Sequence, residues 1–392
     1  MRIIIIFLLS VIFILINTSG ADEVKHSYIT FSGPGKPIPY QEVPPGLKSI
    51  TAESCKECHE EIYDQWKGSM HSQALVDPLF QACWTARSKP PFCTNCHFPL
   101  ANQKPSLLKG FKDTGPSPFV MMQNPKFDKE LFKEGVGCAV CHIRNKIIYG
   151  PQELRDGESP HPSVNDPGME KSEFCISCHE WAMPRVRIKG ICETGKEFKN
   201  SKSTWTCQDC HMQSVEGKVS KDSNVRAYRA HTANAGHNPL EIKKAIEIKV
   251  EKDKEIYKEG EEAKITIKLE NSGAGHYFPT GCPLRSLEVR MIVIDETGVE
   301  QKSETFRIER VFEFPNYPAE SKDKRLAPGE TKSFDFDWEV PSESSDKEFT
   351  LKVDMTYYLI NLKRAEEAAL PLKKVILPVQ TLTFPLTNKG LK

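Results

Sequence analysis

The pentapeptide Cys-x-x-Cys-His occurs five times in this chain, and no other feature constrains its fold as strongly. The copies are Cys55-Lys56-Glu57-Cys58-His59, Cys93-Thr94-Asn95-Cys96-His97, Cys138-Ala139-Val140-Cys141-His142, Cys175-Ile176-Ser177-Cys178-His179 and Cys207-Gln208-Asp209-Cys210-His211. Chance at this composition would supply about 0.01 copies of the pattern. Two thiols three positions apart can each add to one vinyl group of the same haem. The next residue, His, then sits beneath the ring as an iron ligand. A redox-active Cys-x-x-Cys needs no following His and has no reason to repeat. Zinc sites pair such units but give no role to His after every second Cys. The spacing therefore predicts five covalently bound haem c groups, held by Cys55, Cys58, Cys93, Cys96, Cys138, Cys141, Cys175, Cys178, Cys207 and Cys210. The proximal iron ligands are His59, His97, His142, His179 and His211.

Five of the 11 histidines follow a motif, which leaves His26, His71, His161, His231, His237 and His276. That number nearly matches the sixth coordination positions to be filled. His71 closes a segment, Glu60 to Met70, in which Ile62, Tyr63 and Trp66 share one helical stripe. Twelve residues of helix span about 18 Å, so His71 is expected to reach a different haem from the one His59 binds. His231 and His237 share the loop Arg229-Ala230-His231-Thr232-Ala233-Asn234-Ala235-Gly236-His237, whose small residues let backbone approach a flat porphyrin. His161 stands between Pro160 and Pro162, and His276 lies in a Gly-rich connection, Asn271 to Gly281. All five are candidate distal ligands; the ordinary alternatives are capping, surface or loop histidines. His26 is expected to be solvated. The methionines Met70, Met121, Met122, Met169, Met183 and Met212 read equally well as core fillers.

The run Cys55-x-x-Cys58-His59 with Tyr63, Trp66, Ser69 and His71 resembles the first haem site of exported multihaem cytochromes related to cytochrome c-554 and hydroxylamine oxidoreductase. The His231/His237 pair and the stretch His276-Tyr277-Phe278-Pro279-Thr280-Gly281 resemble members carrying a C-terminal β-domain. The likeness spans roughly residues 50–300 and is most specific at the first site. It implies that His71 binds a neighbouring haem and that haems stack in parallel and perpendicular pairs. The number of motifs departs from both namesakes, which leaves haem order and any catalytic haem open.

Organisation follows composition. After Met1-Arg2 an apolar run, Ile3–Ile16, leads to polar Asn17–Asp22, the layout of a secretory signal peptide over 1–21, with an uncleaved anchor as the alternative. Residues 22–50 are rich in Pro and Gly and read as an extended leader, and 51–240 hold every motif among short helices and loops broken at Asp113-Thr114-Gly115-Pro116 and Pro160-His161-Pro162. From 241 the pattern switches to period two: Ile246/Ile248/Val250, Ala263/Ile265/Ile267/Leu269, Leu287/Val289/Met291, Phe334/Phe336/Trp338, Phe349/Leu351/Val353 and Val375/Leu377/Val379. The expected architecture is multidomain: a mainly α/irregular multihaem cytochrome c domain over 51–240, then an all-β immunoglobulin-like sandwich over 241–392. Of the three remaining cysteines, Cys83 and Cys192 lie within the first domain and form the candidate disulfide, leaving Cys282.

The formal charge is zero, with Lys+Arg 53 against Asp+Glu 53, which argues against a nucleic-acid binder. A mean hydropathy of −0.46 excludes a polytopic membrane protein. The leading functional expectation is a periplasmic or extracellular electron carrier, exchanging electrons with other redox proteins, either cytochromes or membrane quinol-linked complexes. The competing expectation is a reductase of small nitrogen or sulfur compounds, which needs one haem with an open face. A third is a homo-oligomer or filament in which His26 ligates iron in the next chain.

Overall fold

The computed structural model describes residues 35–112, 119–152, 159–181, 192–313, 319–342, 344 and 346–388. The expected signal peptide, His26, the start of the leader, the break at 113–116 and Met183 lie outside the described residues. No helix among the described residues is long and apolar enough to cross a membrane.

The first part is built from short helices tied by polar caps. They are α1 (Ala52–Lys56), α2 (Glu60–Lys67), α3 (Met70–Gln73), α4 (Pro78–Ala86), α5 (Thr94–His97), α6 (Lys129–Phe132), α7 (Cys138–His142), α8 (Ser172–His179), α9 (Thr194–Ser201) and α10 (Cys207–His211). Small strands lie between them: β1 (Ser106–Phe111) pairs with β2 (Phe119–Gln123), β3 (Ile143–Arg144) and β5 (Ser163–Asn165) flank β4 (Ile147–Gly150), and β6 (Ser214–Lys218) pairs with β7 (Val225–Arg229). Such helices are too short to hold themselves. Local polar side chains secure their first turns: Asp77 accepts from the Leu79 and Phe80 amides, and Thr206 with Asp209 closes a reciprocal capping box on α10.

The single long helix expected between His59 and His71 is two helices. Gly68 ends α2, and Ser69, extended at φ −84 and ψ 160, starts α3 by accepting the Ser72 amide. Its hydroxyl donates to the Trp66 carbonyl at 2.7 Å, fixing the corner. A Ser that can bond local backbone competes with helix continuation, and here it wins.

Helix α11 (Pro239–Ala245) leads into strands β8 (Glu247–Lys252), β9 (Glu262–Glu270), β10 (Ser286–Asp295), β11 (Glu300–Glu313), β12 (Ala319–Asp323), β13 (Thr331–Glu339), β14 (Phe349–Tyr358) and β15 (Ile376–Pro385), with helix α12 (Leu362–Glu367) before the last. They form two antiparallel sheets, ordered β12-β11-β10-β14-β15 and β13-β9-β8. Both sheets feed one core. Ala263, Ile265, Ile267 and Leu269 on β9 share it with Leu287, Val289, Met291 and Val293 on β10, all at most 1% exposed. The alternation in β9 explains this, since successive side chains leave opposite faces and its Lys and Thr residues take the solvent side. Helix α4 joins the same core through Leu79, with Ala82 and Cys83 packed against it. The first part of the chain is therefore docked on the β-rich part.

Candidate cofactor-binding site

Every Cys-x-x-Cys-His unit falls on a helical turn. The second, third, fourth and fifth motifs lie on or into α5, α7, α8 and α10, and the first continues from α1, with the His59 amide donating to the Cys55 carbonyl at 2.9 Å. Helical rise sets residues i, i+3 and i+4 on one face, so both thiols and the imidazole point the same way. Four of the motif histidines also have Nδ1 engaged by a backbone carbonyl: His59 by Val219 at 2.5 Å, His97 by Ala74 at 2.8 Å, His142 by Tyr149 at 2.7 Å and His211 by Asn234 at 2.6 Å. A carbonyl only accepts, so Nδ1 carries the proton and Nε2 keeps its lone pair for a metal.

Three motif histidines face a second histidine from elsewhere in the chain. His71 and His179 have ring centroids 6.3 Å apart, His142 and His231 are 6.1 Å apart, and His211 and His276 are 6.3 Å apart with planes only 8° from parallel. Metal–imidazole bonds of about 2.0 Å on opposite sides of one iron put two ring centroids roughly 6.3 Å apart. The donor sets fit bis-imidazole iron on that measure. Burial pushes His71 and His276 down to about 4, and burial aided by His142 does the same for His231, so the distal rings are neutral, as ligation needs. His71 thus reaches the fourth motif, past its own neighbour His59.

The distal residues are held by side chains that the sequence did not single out. Gln65 on α2 accepts the His231 amide at 2.8 Å and donates to the Tyr228 hydroxyl at 2.7 Å, which in turn donates to Glu61 at 3.0 Å. The Val136 amide donates to the His71 carbonyl at 2.9 Å. Gly135, at φ +62, lets the backbone pass so close that a Cβ there would meet that carbonyl at 2.8 Å. His276 is fixed through its loop: Arg325 pairs with Glu197 of α9 at 2.6 Å, and Glu197 accepts the Thr280 hydroxyl at 2.6 Å. Lys104 and Arg144, both buried, donate to carbonyls closing the second and third motif turns, Lys104 to Phe98 at 3.2 Å and Arg144 to Val140 at 2.9 Å. Burial pulls Lys104 down to about 7.

Free thiols from different motifs are neighbours: Cys55 and Cys138, Cys96 and Cys178, and Cys175 and Cys207. Cys141 lies near both Cys175 and Cys178. The motifs thereby run in space as first, third, fourth and fifth, with the second beside the fourth.

Two candidates stand apart from the three pairs. His161 lies near His59, its Nδ1 held by the Ser159 and Ser163 hydroxyls at 2.9 Å and 2.8 Å. His237 has its Nε2 against the Arg285 guanidinium at 3.3 Å. The ring of His97 is stacked by Phe80 at 3.7 Å. The pairing of Cys83 with Cys192 is not formed. The Cys192 thiol meets the His179 carbonyl at 3.2 Å and Thr194 at 3.3 Å, while Cys83 has Cys282 as its thiol neighbour.

No family model matches the chain, and no curated protein does. Among solved structures it is similar to a penta-haem cytochrome c552 from Thermochromatium tepidum, at 21% identity over 86% of this chain and 99% of that chain, with a TM-score of 0.65. The two chains share a fold. The sporulation control protein Spo0M from Bacillus subtilis aligns at 16% identity over 37% of this chain and 49% of that chain with a TM-score of 0.17, too loose to carry an argument.

Proposed function

We propose that this chain is an exported multihaem c-type cytochrome that carries electrons between redox proteins through five covalently bound haem c groups. The observation that carries the reading is the set of three histidine pairs at 6.1–6.3 Å, each joining a motif histidine to a distant one. The likeness in fold to the Thermochromatium penta-haem cytochrome supports it. Bound haem c supplies reversible one-electron exchange at iron. The protein's own part is to fix axial ligands, exclude water and set local charge. His71/His179, His142/His231 and His211/His276 fill both axial positions, and His161 is assigned opposite His59. Two strong axial bases leave iron no site for substrate, which suits a carrier. Arg144 adds positive charge beside Cys141 and so favours reduction there. In this reading residues 1–21 are a signal peptide, 51–240 the haem domain and 241–392 an immunoglobulin-like sandwich that lends His276 and covers one end of the row. The relationship is to the cytochrome c-554 and hydroxylamine oxidoreductase class. Pyridine haemochrome quantification tests the stoichiometry: five haems per chain are expected, and fewer than four would sink the reading.

A second reading has one specific observation behind it. The lone pair of His237 faces Arg285 instead of a second imidazole, and His97 is stacked by Phe80. An iron on His97 would then keep an open face for a small nitrogen or sulfur compound. The carrier reading takes His237 as the second ligand of the His97 iron, so low-temperature EPR on the oxidised protein separates the two: only the reductase has a high-spin iron.

A further inference from the structure

Arg285 enters the junction between the two parts of the chain with little to neutralise it. Its Nη1 donates to the Thr280 carbonyl at 3.2 Å and its Nη2 to His237 Nε2 at 3.3 Å, while Nε is buried without a partner. The Tyr357 hydroxyl lies against the guanidinium, and Tyr357 itself is 1% exposed. Among the described residues no carboxylate forms an ion pair with Arg285; the titratable groups acting on it are the Tyr357 hydroxyl and the thiols of Cys282 and Cys192. Two glycines keep the space around it clear: a Cβ on Gly236 would meet Nη1 at 2.7 Å, and one on Gly281 at 3.3 Å. A buried guanidinium with an idle donor is costly unless an anion completes it. Its planar fork suits two oxygens of one group.

The surroundings locate this fork between the second and fourth motifs. Arg285 acts on His179, whose carbonyl meets the Cys192 thiol. His237 and His97 share Asp77 as a charged neighbour. We propose that Arg285, with the Tyr357 hydroxyl beside it, is the receptor for one two-oxygen anionic group at this junction. That group is a carboxylate or a small oxyanion, and it comes either from the bound cofactor, whose edges carry propionates, or from solution. The receptor rests on the haem reading above only for its spectroscopic readout.

Holoprotein is prepared as the parent, Arg285→Leu, Arg285→Lys and Tyr357→Phe, with haem counted in each so that loss of cofactor, which would tell against the cytochrome reading, is scored separately. Each is titrated with sodium nitrite while optical and EPR spectra of the oxidised protein are followed, and each haem midpoint is measured by potentiometry. A solution anion gives saturable spectral change in the parent, with apparent affinity at least ten-fold weaker in Arg285→Leu, less weakened in Arg285→Lys and intermediate in Tyr357→Phe. A cofactor carboxylate leaves nitrite silent, but Arg285→Leu then lowers one midpoint while Arg285→Lys largely retains it. Should Arg285→Leu fail to fold, Arg285→Lys and Tyr357→Phe decide: weaker nitrite affinity or a lowered midpoint relative to the parent supports the receptor, and parent-like values in both overturn it. Spectra insensitive to nitrite together with unmoved midpoints in all variants overturn the proposal.

Discussion

Replacing Arg325 by Met tests the link that holds the His276 loop on α9. Arg325 and Glu197 are 7% and 6% exposed and meet at 2.6 Å, and Arg325 also donates to the Pro279 carbonyl at 3.3 Å. Removing one partner of a buried pair costs about 3–5 kcal/mol, because the other charge is left without compensation. The Thr280 hydroxyl still serves Glu197 in the variant, which sets the expectation at the lower end, about 3 kcal/mol. Asp323, the second partner of Arg325, is 34% exposed and is rehydrated at little cost. The double variant Arg325→Met/Glu197→Leu removes both charges and should recover much of the loss, giving a coupling of about 1.5 kcal/mol or more. Urea denaturation of the holoprotein followed by circular dichroism measures all three. Single changes costing under about 1 kcal/mol, or strict additivity in the cycle, would refute the reasoning. A local signature accompanies it: one low-spin EPR signal, that of the His211/His276 iron, broadens in Arg325→Met while the others stay.

His71→Ala should convert one iron to high spin and leave the rest low-spin, with added imidazole restoring the signal; an unchanged EPR spectrum would remove His71 from the ligands. Glu134→Gln should flatten a pH dependence of stability. Burial, the largest cause, lifts the Glu134 carboxyl to about 7 from 4.5, against an amide bond from Ala52 that opposes the shift. The folded state then holds a proton that the unfolded state releases, so stability falls as pH rises from about 4.5 to 7, by about 3 kcal/mol, and is level beyond. Denaturation midpoints at pH 5 and 8 that move equally in parent and variant would exclude this. Phe80→Ala, which removes the ring stacked on His97 and opens space beside Leu75 and Phe98, should destabilise by about 3–5 kcal/mol in the same urea assay; a loss below about 1 kcal/mol would show the packing to be slack.

The five motifs are legible as spacings because the two thioethers and one axial bond of the proposed haem c would require neighbouring residues. Distal histidines were legible only as a pool. Which one faces which motif depends on Gln65, Gly135 and Glu197, whose roles arise from contacts far apart in sequence. For His237 the Gly-rich loop suggests ligation, while its Nε2 faces the guanidinium of Arg285, remote in sequence, at 3.3 Å. In the β-rich part, alternation marked β8, β9, β10, β13, β14 and β15. Strand β11 escaped notice because its residues up to Val311 are mostly charged or polar and only Ile308 and Arg310 among them are buried. Between His59 and His71 the apolar stripe was real, but the Gly68-Ser69 corner outweighed it.

The carbonyls that orient the motif histidines also impose an order on assembly. His97 takes its carbonyl from Ala74, already synthesised, and His142 takes one from Tyr149 a few residues on. His59 must wait for Val219, and His211, although its own carbonyl at Asn234 follows soon after, faces His276 from the β-rich part. By these carbonyls, a chain emerging from its N-terminus orients His97 and His142 before His59, and sets His211 against His276 only when the following sheet has formed. Machinery attaching the proposed haem c to a nascent chain would meet the first motif while its histidine is still free to turn.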